Sequence, residues 1–310
     1  MTTPLSFFDL HCDTPLRLWQ TGSELEKNAL HVDLDRAAGL SRYLQCAAIW
    51  SDRRYSDEEA LAVFFESERY FRAEAKKNAC PILTGDGFRS FAGRRGFLLT
   101  LEDARLLCGD LANVDLLFSC GVRVVTPLWA GVSSIGGAHD TDEGLSAFGR
   151  AAVRRFGELG AILDLSHASD ASAEEILFLA EKHGFPVIAT HSDSRAVNAH
   201  SRNLPDPLLS KLVKAGGIVG LSLCREHLRS AERCTREDIL AHLAHFLSAA
   251  PESAVAFGCD FDGTDLPDGV DGIGSIPSLF SYLEENGIPH KTLEKVFFQN
   301  AYSYFTKHLS

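Results

Sequence analysis

A histidine and an aspartate near the start of the chain have the residue types and spacing of metal ligands. His11 and Asp13 end an apolar run that begins at Phe7, and Pro15 follows at a point where a helix can begin. Residues two apart on a strand face the same way, so both side chains can aim at one point. An imidazole and a carboxylate that converge at a strand end can bind a catalytic metal ion. Because H-x-D is a short pattern that also occurs by chance, the hypothesis needs further ligands elsewhere in the chain.

Other ionisable residues follow later apolar runs in the same way, each as the first such group after its run or within two residues of it. They are Glu102, His167, His191 and Asp260. Taken singly, each could instead cap the helix that follows. Three histidines, an aspartate and a glutamate are too many for one four-coordinate catalytic zinc ion that keeps a position open for water. The set therefore predicts two divalent metal ions, with Glu102 as the bridge between them.

Short apolar runs alternate with longer amphipathic segments along the whole chain. The runs predict strands at residues 6–11, 43–50, 96–102, 122–128, 161–166, 186–191, 217–223 and 254–259. The segments between and after them predict helices near residues 56–77, 111–119, 146–158, 171–183, 205–215, 236–249, 277–286 and 290–308. Apolar strands that alternate with helices are typical of a parallel sheet buried on both faces.

Eight such units are the number that closes a (β/α)8 barrel, the TIM barrel of the α/β class. An open doubly wound sheet is the alternative, but no Gly-rich phosphate loop follows the first strand. No repeat, low-complexity tract or linker divides the chain, so residues 1–310 are predicted to form a single catalytic domain. Barrel enzymes carry their chemistry at the carboxyl ends of the strands, where all the candidate residues fall.

The composition excludes several classes of partner. The formal net charge of -12 argues against nucleic acids and against anionic lipid surfaces, both of which favour a basic face. None of the eight cysteines forms a C-x-x-C pair, which predicts free thiols in a reducing compartment. Neither a signal peptide nor an apolar run of about 20 residues is visible. We therefore expect a cytoplasmic protein without a membrane anchor.

The motifs around the candidate residues resemble those of the membrane (renal) dipeptidases, a family of metal-dependent hydrolases built on a (β/α)8 barrel. The similarity is specific because it spans nearly the whole chain in the family's order. Seven segments carry it: D-L-H-C-D-T at 9–14, L-E-D at 101–103, G-L-S-A-F-G at 144–149, D-L-S-H-A-S at 164–169, T-H-S-D-S-R-A-V at 190–197, S-R-N-L-P-D at 201–206 and F-G-C-D-F-D-G at 257–263.

The resemblance implies a metalloprotease that hydrolyses dipeptides, small-molecule substrates, with two zinc ions, and the family habit suggests a homodimer. Five residues would bind the ions: His11 and Asp13 one of them, His167 and His191 the other, and Glu102 both. By the same resemblance, Arg202 binds the substrate's terminal carboxylate. Asp260 contacts the free amine and transfers the proton. The histidine and carboxylate set itself also suits Mn²⁺, Fe²⁺ or Co²⁺.

One position departs from the family pattern. The family has a histidine after the fourth strand, in a T-L-T-H-N type run, that helps to polarise the scissile carbonyl. The corresponding run here is Thr126-Pro127-Leu128-Trp129, and the next histidine is His139. An indole at position 129 can donate a hydrogen bond but cannot carry a proton at neutral pH. Two alternatives to a dipeptidase therefore stay open: a related binuclear-metal amidase or lactonase with another substrate, and a metal-binding non-enzyme of the same fold.

Overall fold

Eight parallel strands form the centre of the protein in a computed structural model that describes residues 5–309. The strands are β1 (Ser6–Cys12), β2 (Arg42–Trp50), β3 (Arg95–Glu102), β4 (Val122–Thr126), β5 (Ile162–Asp164), β6 (Val187–Ile188), β7 (Val219–Leu221) and β8 (Val255–Phe257). Their order in the sheet is β6-β5-β4-β3-β2-β1-β8-β7. A parallel bridge between Ala189 and Val219 joins the two ends of this sheet and closes the barrel. The predicted (β/α)8 fold class is confirmed.

Helices surround the barrel and connect its strands. They are α1 (Thr14–Thr21), α2 (Asp57–Lys77), α3 (Gly85–Arg89), α4 (Ala112–Ser119), α5 (Ala147–Leu159), α6 (Asp170–His183), α7 (Asp206–Lys214), α8 (Arg225–Leu228), α9 (Arg236–Ala249), α10 (Ile276–Glu285), α11 (His290–Glu294) and α12 (Asn300–His308). A π-helical turn, Lys295–Gln299, joins α11 to α12, so the helix predicted for 290–308 is continuous. The short helices α1, α3 and α8 were not predicted, because an amphipathic period is hard to detect within two turns.

Local capping signals set the ends of the longer helices. Ser56 begins α2 with a capping box, in which its hydroxyl accepts from the N–H of Glu59 and the Glu59 carboxylate accepts from the N–H of Ser56. Ser169 caps α6 by accepting from the N–H of Ser172. Gly184 ends the same helix in the left-handed conformation that glycine adopts readily. The helix starts at Ser56 and Ser169 fix where the loops at the barrel rim end.

Alternate strand residues face two separate cores. Those that face into the barrel, among them Leu98, Val124 and Ile162, form one apolar cluster, which Phe305 of α12 covers at one end. Those of the opposite face pack with the surrounding helices in a larger cluster. Toward the carboxyl ends of β3 and β5, the inward-facing residues become polar: Glu102 and Asp164 follow the apolar positions. The barrel interior is thus apolar at its base and polar at its rim.

The last four strands are shorter than predicted. Whereas β1, β2 and β3 match the predicted bounds to within one residue, β5 to β8 contain only two or three paired residues each. The apolar runs continue past the ladder because the loops that follow are also buried. At His167 and Asp260 the backbone turns with φ of 68° and 60°, angles that no strand contains.

Two further observations concern the cysteines and the helices. All eight cysteines lie within the described residues and are free thiols. Across residues 5–309, no helix combines the length and the apolar character that crossing a membrane requires.

Two glycines allow the backbone of Thr190 to approach neighbouring strands closely. A Cβ added at Gly258 or at Gly220 would overlap the carbonyl oxygen of Thr190. Because that carbonyl belongs to buried backbone next to His191, it cannot move aside without moving the residues around it. Only glycine fits at these two positions.

Gly258→Ala should therefore destabilise the protein strongly. Forcing an extra methyl group into a packed interior costs about 1–3 kcal/mol, and backbone contact places this site at the upper end of that range. Thermal or denaturant unfolding measures the loss in the free energy of unfolding. Gly87→Ala is the matched control, because an added Cβ there has nothing within 4 Å, and it should change stability by less than about 0.5 kcal/mol. Equal stability of the two variants would contradict the steric argument.

Candidate metal centre

The structure brings six of the predicted site residues together at the carboxyl ends of the strands. They are His11, Asp13, Glu102, His167, His191 and Asp260, and each is at most 9% exposed. Ligand atoms of His11, Glu102 and His191 lie within 4.8 Å of one another, as do those of His11, Asp13 and Asp260. Residues from five different strands or strand ends therefore meet in one buried cluster.

A β-bulge aims His11 into this cluster. Leu10 belongs to the apolar core inside the barrel and Cys12 to the core under the helices, and the pairing of β1 with β2 shifts register between Asp9 and Cys12. Leu10 and His11 thus face the same side, which a regular strand does not allow. The Asp9 carboxylate supports the bulge by accepting from the N–H of Cys259 at 2.7 Å and of His11 at 3.5 Å.

Glu102 lies at the centre, with its two carboxylate oxygens facing different histidines. Oε1 is 2.9 Å from Nε2 of His167 and 3.4 Å from Nε2 of His191, whereas Oε2 is 3.5 Å from Nε2 of His11. Burial opposes the charge on this carboxylate, but the neighbouring positive charge of His11 holds its pKa well below the usual range. Glu102 is therefore an ionised carboxylate placed between two groups of nitrogen donors.

Hydrogen bonds fix the tautomers of two imidazoles. Nδ1 of His167 lies 2.9 Å from the carbonyl oxygen of Trp129, an acceptor, so Nδ1 carries the proton. Thr190 donates its hydroxyl proton to the Asp164 carboxylate, and it therefore accepts from Nδ1 of His191 at 2.7 Å. Both Nε2 atoms then present a lone pair toward Glu102. This second layer of contacts orients the rings in the way that metal-binding histidines require.

The resulting arrangement fits a cation better than it fits the side chains alone. The two Nε2 lone pairs of His167 and His191 face each other at 3.0 Å. Two nitrogen ligands at about 2.0–2.1 Å from one tetrahedral zinc ion would be about 3.3 Å apart. Nε2 of His11 and Oδ1 of Asp13 are buried and have no hydrogen-bond partner within residues 5–309. Donor atoms that are buried, convergent and unpartnered are what a metal ion would satisfy.

The electrostatics of the cluster also favour positive charge. Burial and the negative charge of Glu102 raise the pKa of Asp13 to about 6. Burial raises the pKa of Asp260 well above its usual range, and the charges of Asp13 and Glu102 add to this effect against that of His11. Burial disfavours a charged His11, yet the nearby carboxylates of Glu102 and Asp13 raise its pKa well above normal. The carboxylates repel one another and attract a cation.

The loop after β8 brings Asp260 to the cluster through strained backbone. Asp260 and Asp262 both have positive φ, at 60° and 68°, which costs roughly 1–3 kcal/mol for a residue other than glycine. Asp262 accepts hydrogen bonds from the Thr14 hydroxyl and the His31 N–H, which hold the turn against β1. A Cβ at Gly263 would overlap carboxylate oxygens of Asp13 and Asp260, so only glycine fits between them. Oδ1 of Asp260 then lies 3.9 Å from Nε2 of His11.

A cavity of about 480 Å³ opens onto the cluster. Asp13, Glu102, His167 and Asp260 form part of its lining, together with Trp129. The Trp129 ring packs against Trp50 with ring centroids 4.7 Å apart, and the Arg53 guanidinium lies over it at 5.4 Å. The volume is within the range of small-molecule sites, about 300–1,000 Å³.

Arg202 is buried next to His191 and is not among the residues that line this cavity. Its guanidinium donates to the His191 carbonyl at 2.7 Å and to the Ser192 hydroxyl at 3.2 Å, and its buried Nε has no partner. No carboxylate within the described chain forms an ion pair with it. Burial lowers its pKa from the usual value, although Asp260 and other nearby carboxylates oppose this. The structure thus contains a buried cation whose hydrogen-bond acceptors are all neutral.

Three histidines to which the sequence motifs assign no role also line the cavity. They are His139, from the loop between β4 and α5, His200 and His227. No spacing rule connects these residues to the strand-end series, because they come from rim loops whose paths the sequence does not specify. Their only signal is their number, since the chain has twelve histidines and six of them gather here.

Two solved structures share this fold over nearly the whole chain. A metallo peptidase from Rhodobacter sphaeroides, liganded with a phosphinate mimic of the dipeptide L-Ala-D-Ala, has a TM-score of 0.89 at 24% identity and covers 99% of this chain and 100% of that one. The probable dipeptidase PvdM from Pseudomonas aeruginosa has a TM-score of 0.86 at 17% identity, covering 97% of this chain and 95% of its own. At these identities the likeness establishes the fold alone.

Sequence comparison is more specific. A Klebsiella pneumoniae protein described as an uncharacterized protein in the pqqA 5′ region is 29% identical over 212 residues, which is 64% of this chain and 77% of that protein. A family model described as membrane dipeptidase, peptidase family M19, matches residues 1–307. That match includes every strand of the barrel and every residue of the candidate metal centre, and the chain therefore belongs to the membrane dipeptidase family.

Proposed function

We propose that this metal-dependent dipeptidase cleaves the peptide bond of dipeptides at the Glu102 centre. The shared carboxylate carries the proposal, because Oε1 faces His167 and His191 while Oε2 faces His11. The family match supports dipeptides as the substrate class. The Rhodobacter relative, which is liganded with a phosphinate mimic of L-Ala-D-Ala, suggests that dipeptides with a D-residue at the carboxyl side are among the substrates.

Five side chains would hold two divalent ions, for which Zn²⁺ suits the imidazole and carboxylate donors. His11 and Asp13 would bind one ion, His167 and His191 the other, and Glu102 both. When bound, the ions supply a water of lowered pKa and a Lewis acid for the substrate carbonyl. The tautomers set by Trp129 O and Thr190 leave the Nε2 lone pairs free for this purpose.

Asp260 has the position and the environment of a proton carrier. Its carboxylate lines the cavity 3.9 Å from His11, and burial raises its pKa well above the usual range of an aspartate. A carboxyl group with a raised pKa can accept a proton and release it again near neutral pH. We assign to Asp260 the transfer of the proton from the attacking water to the leaving amine, together with contact to the substrate's free amine.

Arg202 is the group that would recognise the substrate's carboxylate. A buried guanidinium with only neutral acceptors and one unpartnered N–H gains most from an added anion. A carboxylate could accept a forked pair of hydrogen bonds from it. Together with Asp260 at the amine, this contact would limit the enzyme to substrates about two residues long.

Trp129 favours one alternative reaction at the same metal centre, the hydrolysis of a related amide or lactone. Its ring is part of an aromatic cluster with Trp50 and under Arg53, and it contributes apolar surface to the cavity. A related amidase or lactonase with a different acyl group would use the same metal centre. Either substrate would carry a carboxylate for Arg202, and a panel of dipeptides, N-acyl amino acids and lactones separates the two reactions.

The compartment and the assembly of the protein remain part of the proposal. The eight free thiols support a reducing compartment such as the cytoplasm. We also propose a homodimer, by analogy with the family, which analytical ultracentrifugation would test.

Asp260→Asn should abolish turnover without removing metal. The amide keeps the shape of the carboxylate but cannot accept the proton, so kcat should fall about 10²–10⁴-fold. Steady-state kinetics on a dipeptide and elemental analysis of the same preparation measure both quantities. Asp142→Asn, on an exposed residue of another rim loop, is the control and should retain full activity. Normal turnover of Asp260→Asn would refute the assigned role, and loss of metal would make Asp260 a ligand instead.

Metal stoichiometry tests the bridging role of Glu102. The purified protein should contain two equivalents of divalent metal, and chelation should abolish hydrolysis until Zn²⁺ is restored. His167→Ala removes a ligand of one ion only and should retain about one equivalent, whereas Glu102→Gln weakens both sites. Elemental analysis after dialysis reads out the difference. A wild-type protein with a single tightly bound equivalent would contradict the two-ion centre.

Arg202→Gln tests recognition of the carboxylate. Loss of a charge-assisted hydrogen bond costs about 1.5–3 kcal/mol, which corresponds to roughly a 10- to 150-fold increase in KM for a dipeptide. The C-terminal amide of the same dipeptide has no carboxylate, so its hydrolysis should be slow with the wild-type enzyme and little changed by the substitution. An equal loss for both compounds would show that Arg202 supports the fold rather than the substrate.

A further inference from the structure

A buried histidine outside the cavity connects two of the loops that form the barrel rim. His242 belongs to α9 on the outer side of the barrel and is 0% exposed. It is not among the residues that line the cavity. Buried polar atoms in proteins are hydrogen-bonded in the great majority of cases, so each ring nitrogen should have a partner.

Both nitrogens of His242 bond to backbone groups, each in a different loop. Nδ1 accepts from the N–H of Ser194 at 3.0 Å, and Nε2 lies 2.9 Å from the carbonyl oxygen of Leu228. A backbone N–H can only donate and a carbonyl can only accept, so the ring proton is on Nε2 and the ring is neutral. Burial lowers the pKa of His242, against the effects of the Leu228 carbonyl and the Asp238 charge, which agrees with a neutral ring.

The first of these loops carries Arg202. We refer to residues 193–204, between β6 and α7, as the Arg202 loop. It closes on itself, because Ser194 and Leu204 near its two ends form a parallel bridge. The backbone that His242 holds at Ser194 is therefore paired with the strand-like end that follows Arg202.

The second loop joins β7 to α9 and contains α8. We refer to residues 222–235 as the α8 loop. Leu228 ends α8, and its neighbour His227 lines the cavity. Nδ1 of His227 is buried and has no hydrogen-bond partner within residues 5–309. The bond from His242 to Leu228 thus fixes the backbone next to a residue of the cavity wall.

Two asparagines of the Arg202 loop add direct bonds to the α8 loop. The side-chain amides of Asn198 and Asn203 donate to the carbonyl oxygen of His227 at 2.9 Å and 2.8 Å. These asparagines join the two loops to each other. His242 anchors both loops to α9, whose Phe246 belongs to the core under the helices.

We propose that His242 is a positioning residue for substrate recognition, which holds the Arg202 guanidinium where it meets the substrate's carboxylate. This inference rests on the proposed role of Arg202. Loss of the acceptor at Nδ1 leaves the buried Ser194 N–H unpaired, and an unpaired buried donor favours a shift of the loop toward water.

Such a shift affects binding of the carboxylate before it affects the metal centre. The forked contact between a guanidinium and a carboxylate depends on geometry, so a displaced Arg202 binds the substrate less well. The ring of His191, in contrast, is oriented by Thr190, which does not depend on His242. The expected signature is a higher KM for substrates with a free carboxylate, at nearly constant kcat.

Two substitutions at position 242 separate the two bonds. Glutamine reaches the position of Nε2 and can donate to Leu228, but it places no acceptor at Nδ1. His242→Gln should therefore raise the KM for a dipeptide about 3- to 10-fold, the equivalent of one net hydrogen bond, with kcat within about twofold. Asparagine places its oxygen near Nδ1 and keeps the bond from Ser194, so His242→Asn should leave KM within about twofold of the wild type.

Two controls accompany these kinetics. His245→Gln, on the same helix with a side chain that is 22% exposed, should leave KM and kcat unchanged. The C-terminal amide of the dipeptide has no carboxylate for Arg202, so its rate of hydrolysis should be the same in His242→Gln and in the wild type. Metal content should also be the same in both proteins.

A double-mutant cycle distinguishes positioning of Arg202 from general support of the fold. If His242 acts through Arg202, adding His242→Gln to Arg202→Gln should change KM by less than about twofold, because the contact is already lost. Multiplicative effects of the two substitutions on KM would overturn the proposal. Equal losses for the dipeptide and its amide would also overturn it.

Hydrogen–deuterium exchange provides a measurement that does not need His242→Gln to fold. Binding of a phosphinate dipeptide mimic to the metal-loaded wild type should slow amide exchange in both the Arg202 loop and the α8 loop, because side chains hold them together. His242→Asn loses the bond to Leu228, so the slowing in its α8 loop should be at least twofold smaller. Equal slowing in the two proteins would overturn the role of His242.

The outcomes separate this inference from the proposed function. Absence of dipeptide hydrolysis by the metal-loaded wild-type protein contradicts the proposed function itself. Hydrolysis by the wild type, together with an unchanged KM in a folded and metal-loaded His242→Gln, overturns only the role of His242.

Discussion

The position of one carboxylate determines the architecture of the site. Glu102 ends β3 with its two oxygens directed to histidines that come from opposite sides of the barrel. An ionised carboxylate that is 2% exposed would cost several kcal/mol if it were uncompensated. The positive charge of His11 provides compensation, and it can do so only while the barrel keeps β1 and β3 at a fixed distance. The packing of these strands and the ionisation of Glu102 are therefore linked.

The backbone around this carboxylate departs from regular geometry in several places. The bulge in β1 turns His11 inward, and His167 and Asp260 occupy the left-handed region. Each such departure costs roughly 1–3 kcal/mol and persists only where surrounding contacts determine the conformation. The network from Asp164 through Thr190 to His191 is one such contact, and the close approach of Gly258 to Thr190 is another. The strained backbone at the rim thus lowers the stability of the fold but orients the candidate ligands, whereas the apolar base of the barrel contains regular strands.

The sequence was informative about which residues meet and uninformative about how they are aimed. Residues after five of the eight apolar runs converge because the carboxyl ends of parallel strands share one edge, and this rule predicted the neighbourhood of Glu102, His167 and Asp260. The sequence argument treated β1 as a regular strand up to His11, and the bulge between Asp9 and Cys12 contradicts this. It also extended β5 to β8 too far, because buried loops have the same composition as buried strands.

In the rim loops, the position of a residue in the fold cannot be inferred from its place in the sequence. The location of a residue just after a strand, such as Trp129, follows from where that strand ends. His139, in contrast, is 13 residues after the end of β4 and still lies beside His167. Its position depends on glycines that permit unusual φ angles and on carbonyls that accept from α6 and from the loop itself. Such a loop can hold a side chain as firmly as a strand does, because its backbone groups are paired within the fold rather than with water. Since the His139 N–H donates to the His167 carbonyl, any displacement of the loop is transmitted to the backbone of a candidate metal ligand.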